Sequence, residues 1–363
     1  MEKEKITYKE SGVDAQAEEL ALKELSRWTK KTFNFRDKVG SVKLELGYFA
    51  NVVDIGQNMG IAISTDGVGS KILIAQLMEK YDTIGIDCVA MNVNDVVCVG
   101  AEPISMVDYL AVSKPDPELL YQIGKGLYEG AKIARVNIPG GEIAQVREMI
   151  KGERYGHEFD LVGTAIGVVD INRIITGKDI KEKELVMGFA SSGVHSNGLT
   201  LARCTLLKKG KLKVDSYIPE LQRALGDELL EPTLIYVPAV VEMLKKGLNI
   251  KALIHVTGDG LLNLNRVASP AGYILDNLPS PQLIFSLIQK TGDISDEEMF
   301  AVFNMGIGFC VIIPEEEMDN ICAIAKKHNF KAQRIGYVDR MGEREVIIPC
   351  KKLKGKKDKF VNY

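Results

Sequence analysis

Read along its apolar positions, the chain alternates between two periods. In GVDAQAEELALKELSRW, Ala21, Leu25 and Trp28 recur at helical spacing behind Asp14, a residue type that caps helix starts. A helix of about three to four turns is predicted there. Residues 29–58 carry no clear period. Strand patterns follow at 60–65, at 104–112 (ISMVDYLAV) and at 160–170 (DLVGTAIGVVD), with two helices between them. The second of these opens with Asp116 as cap and Pro117 at its first position, and carries Leu120, Ile123, Leu127 and Ala131 on one face.

Near residue 170 the pattern restarts. The polar run INRIITGKDIKEKE joins the strand VVD to a new apolar strand, ELVMGFAS, and marks a domain boundary. Beyond it we expect helices at 199–209, around 233–246 and at 315–328, a strand in FNMGIGFCVIIP and a closing strand in REVIIP. The fold class is α/β, of the α+β type, with domains at 1–170 and 171–348 and a basic tail at 349–363. That tail, CKKLKGKKDKF, holds six lysines and reads as a solvated, frayed end.

Composition narrows the function classes. The chain has 363 residues, 46% hydrophobic and 26% charged, enough for one large core or two medium ones. A formal net charge of -3 supplies no attractive field for nucleic acid or for an anionic membrane, so neither partner is expected. No uninterrupted apolar window of about 18 residues occurs, and MEKEKITYKE is too charged for a signal peptide, so the expected location is the cytoplasm. The six cysteines show no C-x-x-C spacing, which argues against zinc and against a disulfide framework and leaves them as buried, reduced packing residues.

Candidate chemistry begins at STDGVGSK, residues 64–71, where the strand pattern GIAI runs into an acid, two glycines and a base. Asp66 offers a metal ligand, Gly67 and Gly69 a backbone that can approach phosphate, and Lys71 a point charge. The same string also reads as an Asp-Gly turn with exposed charges, and alone it does not decide. The next segment, GIDCVAMNVNDVVCVGAEP, adds weight if helical: Asp87, Met91, Asn94 and Asp95 then share one face, opposite Val89, Val93, Val96 and Val97. A solvated acidic stripe is permitted, but Ile84–Ala101 is otherwise uncharged and reads as buried, and buried carboxylates need a cation or a shifted pKa. Magnesium held by Asp66 and Asp95 with nucleotide phosphates would meet that need.

STDGVGSK, GIDCVAMNVNDVVCVGAEP, ASSGVHSNGLTL, EPTLIYV and EEMFAVFNMGIGFCV, in this order, resemble the phosphoribosylformylglycinamidine cyclo-ligase (aminoimidazole ribonucleotide synthetase) family. With the opening YKESGVDAQA, the resemblance runs from about residue 8 to 348. It implies conversion of formylglycinamidine ribonucleotide and ATP to aminoimidazole ribonucleotide, ADP and phosphate in purine biosynthesis. It also implies a homodimer whose two N-terminal sheets form a barrel, with ATP at the interface. On that pattern Asp66 and Asp95 hold Mg2+, and Gly67, Gly69 and Asn94 line the nucleotide. Lys71 faces developing charge, Lys9 closes over the nucleotide, and Glu142 acts in catalysis. His195 takes an acid-base or phosphate role among the substrate-side residues Ser192, Ser196 and Asn197, and His255 with Thr257 matches a second substrate segment. A lone histidine is also commonly structural, and for Asp160, Glu142, His255 and Thr257 a structural role stands beside the functional one. Asn304 and Gly306 look like a tight backbone feature.

The chain departs from the family at three places. GGEIAQVRE replaces GGETAEMPG, HVTGDG replaces HVTGGG and so introduces Asp259, and ELGYFANV stands where a glycine-rich segment is usual. Relatives with other substrates, or a catalytically silent nucleotide-binding paralogue, are the rival readings. Selenophosphate synthetase needs an early cysteine, and none precedes Cys88; thiamine monophosphate kinase carries an early Gly-Asp-Asp that is missing from residues 40–59.

Overall fold

The computed structural model describes residue 8, residues 10–357 and residues 359–363. Helix α1 (Ala15–Thr29) starts as the sequence requires, with the Asp14 carboxylate accepting from the Ala17 N–H at 3.1 Å. Its apolar positions Leu20, Leu25 and Trp28 stay exposed. Strands β1 (Asn51–Gly56) and β2 (Met59–Gly67) form a hairpin through Gln57 and Asn58, both in the left-handed region at φ 55° and 60°. That is the turn geometry that matches strand twist.

Helices α2 (Lys71–Met78) and α3 (Ile84–Cys98) follow, then β3 (Glu102–Val112), α4 (Pro117–Ala134), β4 (Gly141–Gln145) and β5 (Phe159–Asp170). The five strands order β1-β2-β5-β3-β4, antiparallel except for the β3/β4 pair. Helices α3 and α4 cover one face. They approach closely at Gly85 and Gly126, where an added Cβ would lie 2.2 Å from Leu127 N and 2.1 Å from Asp82 O respectively. The other face is open and apolar: Ile63, Val107 and Tyr109 remain 42%, 44% and 43% exposed.

The second half builds an eight-stranded sheet. Its elements are β6 (Leu185–Ala190), α5 (Leu199–Arg203), the small ribbon β7 (Tyr217–Ile218) with β8 (Arg223–Ala224), α6 (Leu225–Leu229), α7 (Val237–Lys245) and β9 (Ala252–His255). They continue through a 3-10 turn, Gly260–Arg266, to β10 (Ala271–Ile274), α8 (Leu283–Gly292), α9 (Asp296–Val302), β11 (Ile307–Ile313), α10 (Met318–Lys327), β12 (Ala332–Met341) and β13 (Glu345–Ile348). The chain closes with β14 (Leu353–Lys356) and β15 (Lys359–Asn362). The large sheet runs β15-β14-β13-β10-β12-β6-β11-β9. The predicted helix at 199–209 is α5 followed by a wider π turn over Cys204–Lys209.

Two expectations are corrected here. The tail is no frayed end: β14 and β15 extend the sheet, burying Leu353 and Phe360, while Lys354 pairs with Glu345 at 2.8 Å. Alternation in LKGK and KFVN sends Leu353, Gly355 and Phe360 inward, and the lysine count conceals it. The cysteines are mixed: Cys88, Cys98 and Cys310 are buried, Cys204 and Cys322 partly so, and Cys350 is exposed. Among the described residues no helix is long and apolar enough to cross a membrane.

The polar face of α3 is the seam between the halves. Asp87 accepts from the Thr233 N–H at 2.7 Å, and Asn94 donates to Leu234 O and accepts from Tyr236 N–H, both at 2.9 Å. Asp87, Met91, Asn94 and Asp95 were expected to share this face, with Asn94 and Asp95 on the nucleotide and its cation; Asp87 and Asn94 instead bind the second domain.

Candidate active site

Asp66 closes β2, and Asn92 of α3 fixes it there by accepting from its N–H at 2.9 Å and donating to its carbonyl at 3.1 Å. Asp95, one turn further along α3, meets His255 at the end of β9, with Oδ1 to Nδ1 at 2.9 Å. Burial raises the Asp66 carboxyl to about 6, and the charge of Asp95 pushes in the same direction. A hydrogen bond from the Gly67 N–H at 2.7 Å, with the nearby charges of His255 and Arg266, opposes the rise.

Two carboxylates that repel one another at a partly buried strand end suit a divalent cation. Among the described residues no cluster of three or more His, Cys, Asp or Glu side chains is arranged for a metal. Asp66 and Asp95 would be the carboxylates that hold such an ion. Beside it, Gly69 adopts φ +72° with nothing within 4 Å of an added Cβ, so its backbone is open to approach.

Lys71 and Asn94 do not join this group. Lys71 is fully buried, 2.8 Å from Asp87 Oδ2, and donates to the Glu231 carbonyl at 2.6 Å. As the first residue of α2 it points into the domain seam, where its charge is already matched; Asn94, also buried, has both amide groups engaged with 234–236. Glu142 lies on β4 paired with Tyr109, so it belongs to the open sheet face, away from Asp66, and Asp160 is exposed on β5. Lys9 lies outside the described residues. Its neighbour Tyr8 donates from its N–H to Glu298 Oε1 at 2.5 Å, and burial first, then Glu18 and Asp259, raise the Tyr8 hydroxyl's pKa.

The GVHSNG turn holds a second group. Ser192 N–H donates to His195 Nε2 at 3.1 Å, which leaves the proton of a neutral ring on Nδ1. That nitrogen is buried and has no hydrogen-bond partner. Burial, and then Lys71 and His255, hold the His195 pKa well below the usual histidine range, so the ring is neutral. His195 sits at φ 62°, and Gly308 makes room for it, since an added Cβ would fall 2.7 Å from His195 Cε1. Asn304 holds the turn by donating to the Gly193 and Val194 carbonyls at 2.9 and 3.2 Å and accepting from Gly306 N–H at 2.9 Å. This is the tight feature expected at Asn304 and Gly306.

Other substrate-side candidates sit along the same seam. Ser192 Oγ donates to Pro232 O at 2.6 Å, and Ser196 Oγ lies 3.2 Å from Thr233 Oγ1. Thr257 Oγ1 reaches Asn263 at 3.4 Å, and Asn197 is partly exposed beside Gly258. Arg266 was not singled out from sequence; a lone arginine in LLNLNRVAS carries no periodic or motif signal.

Two family models match the chain: AIR synthase related protein, N-terminal domain, over residues 47–169, and AIR synthase related protein, C-terminal domain, over residues 181–348. A Methanothermobacter thermautotrophicus protein named phosphoribosylformylglycinamidine cyclo-ligase is 44% identical over 345 residues, covering 95% of this chain and 98% of that one. One of the same name from Methanocaldococcus jannaschii is 46% identical over 334 residues, 92% of each. Among solved structures, AaThiL complexed with AMPPCP and TMP superposes with a TM-score of 0.63 at 18% identity, over 92% of this chain and 95% of that one, a likeness of fold. The chain belongs to the AIR synthase related family. Within it, it belongs with the phosphoribosylformylglycinamidine cyclo-ligases.

Proposed function

We propose that this enzyme closes the imidazole ring of aminoimidazole ribonucleotide from formylglycinamidine ribonucleotide in purine biosynthesis, with ATP as co-substrate, in the cytoplasm. The γ-phosphoryl group moves to the amide oxygen, the neighbouring nitrogen attacks that carbon, and phosphate leaves with the oxygen while ADP is released. Such a reaction calls for positioning and charge neutralisation more than for a protein nucleophile.

The observation that carries this reading is the Asp66–Asp95 pair, with Asp95 braced by His255 beside the open backbone of Gly69. Asp66 and Asp95 would hold magnesium, which supplies charge neutralisation to the triphosphate. His195 supplies a neutral, buried N–H donor on the substrate side, with Ser192, Ser196, Asn197, His255 and Thr257 along the same wall. Lys71 acts through the seam it stabilises. We assign 1–170 to nucleotide binding and dimerisation, 171–348 to the substrate half, and 349–363 to the sheet that supports it.

The open face of the first sheet supports a homodimer. Ile63, Val107 and Tyr109 present an apolar surface that a second copy would cover, and Glu142, on that same face, would then lie at the boundary between subunits. A coupled assay for ADP release with formylglycinamidine ribonucleotide tests the reaction: ADP formation dependent on that substrate and on Mg2+ supports it. ATP binding without such turnover would favour a silent paralogue.

A further inference from the structure

The segment ELGYFANV, where the family usually has glycines, is clamped from the other domain by one side chain. Arg266 ends the 3-10 turn Gly260–Arg266 and sends its guanidinium across the seam. Its Nε donates to the Gly47 carbonyl at 3.3 Å and its Nη2 to the Tyr48 carbonyl at 3.3 Å. The same group lies over the Phe49 ring, 4.2 Å from its centroid, and Nη1 reaches Asn263 Oδ1 at 3.5 Å.

Both ends of this clamp are fixed. On the far side, Arg344 donates to the carbonyls of Asn265, Val267 and Ala268 at 2.5, 2.6 and 2.8 Å, so the backbone carrying Arg266 is braced independently of the loop. On the near side, Phe49 is 8% exposed, and its carbonyl accepts from Ser64 Oγ at 3.5 Å. Ser64 lies two residues before Asp66 on the same face of β2. A continuous line of contacts thus runs from the second domain through residues 47–49 to the strand end that carries Asp66.

We propose that Arg266 is a positioning residue that latches the Gly47–Phe49 segment to the second domain and so sets the wall of the nucleotide cleft beside Asp66. Lysine is a poor replacement: it lacks the rigid planar fork that lets one guanidinium donate to both carbonyls while lying flat over the ring. The cleft is that of the proposed function, and the inference rests on that reading.

The test compares wild type, Arg266→Lys and Phe49→Leu by amide hydrogen exchange at residues 47–52 without nucleotide, and by steady-state KM for ATP against kcat. The latch predicts exchange at 47–52 faster by about tenfold in Arg266→Lys, with KM for ATP raised about five- to tenfold and kcat held within about twofold. Phe49→Leu shifts both readouts in the same direction by less. Unchanged exchange, or a fall in kcat at constant KM, overturns the proposal. A wild-type protein that fails to bind ATP with Mg2+ overturns the cleft assignment itself, a result distinct from a silent Arg266→Lys variant in a working enzyme.

Discussion

Asp95 on α3 and His255 at the end of β9 meet at 2.9 Å across the domain seam, so one of the two proposed cation ligands is held by the opposite domain. Groups that orient a metal's carboxylate commonly change affinity about 10–100-fold when removed. His255→Phe, which keeps an aromatic ring but removes the nitrogen that meets Asp95, is expected to weaken Mg2+-dependent ATP binding by about that factor while leaving the far-UV CD spectrum unchanged. Titration calorimetry checks it; unchanged affinity would mean that Asp95 needs no brace.

The Asp66 carboxyl, raised from 3.8 to about 6, gives a pH signature with a definite sign. Between these values the unfolded chain gives up the proton while the folded chain keeps it, so this group lowers the stability of the metal-free protein as pH rises through that window. His195 acts oppositely, because its folded pKa is depressed and stability falls as pH drops below the ordinary histidine range. Comparing wild type with Asp66→Asn cancels the His195 effect. The melting temperature of the variant, relative to wild type, should rise between about pH 4 and about pH 6 and level off above. A pH-independent difference would contradict the raised carboxyl.

Lys71 and Asp87 are both fully buried, and removing one partner of such a pair strands the other's charge. Lys71→Met should cost about 3–5 kcal/mol, read by chemical denaturation, and Lys71→Met with Asp87→Asn should recover part of it. A stable Lys71→Met protein with selectively lost turnover would return Lys71 to the catalytic group.

How much of this was legible in sequence depends on which residues carry the chemistry. Asp66 and Asp95 stand out because a strand ending in an acid and an acid in an uncharged helical run are both local patterns, and Asn304 with Gly306 marks its own turn. The surroundings of Lys71 could not be read from its neighbours because its partners are distant: Asp87 and Glu231 take it up only once the domains dock. The partners of Asn94, at 234–236, are hidden for the same reason. Arg266 is invisible since its targets are carbonyls some 220 residues away, and main-chain acceptors leave no trace in side-chain identity. In the tail, alternation at Leu353 and Phe360 was the informative signal.

Removing residues 349–363 exposes what Leu353 and Phe360 cover and breaks the Lys354–Glu345 contact. Burial of two such side chains is worth about 3–6 kcal/mol, so the truncated protein should melt lower or aggregate. An unchanged melting temperature would show the hairpin to be dispensable.

The central claim is that Asp66 and Asp95 jointly carry the cation that brings ATP into the cleft. Titrating ATP with and without Mg2+ into wild type and Asp66→Asn tests it most directly. Tight, Mg2+-dependent binding by wild type that disappears in a folded Asp66→Asn protein is the expected result; equal Mg2+-dependent affinity in both would contradict it.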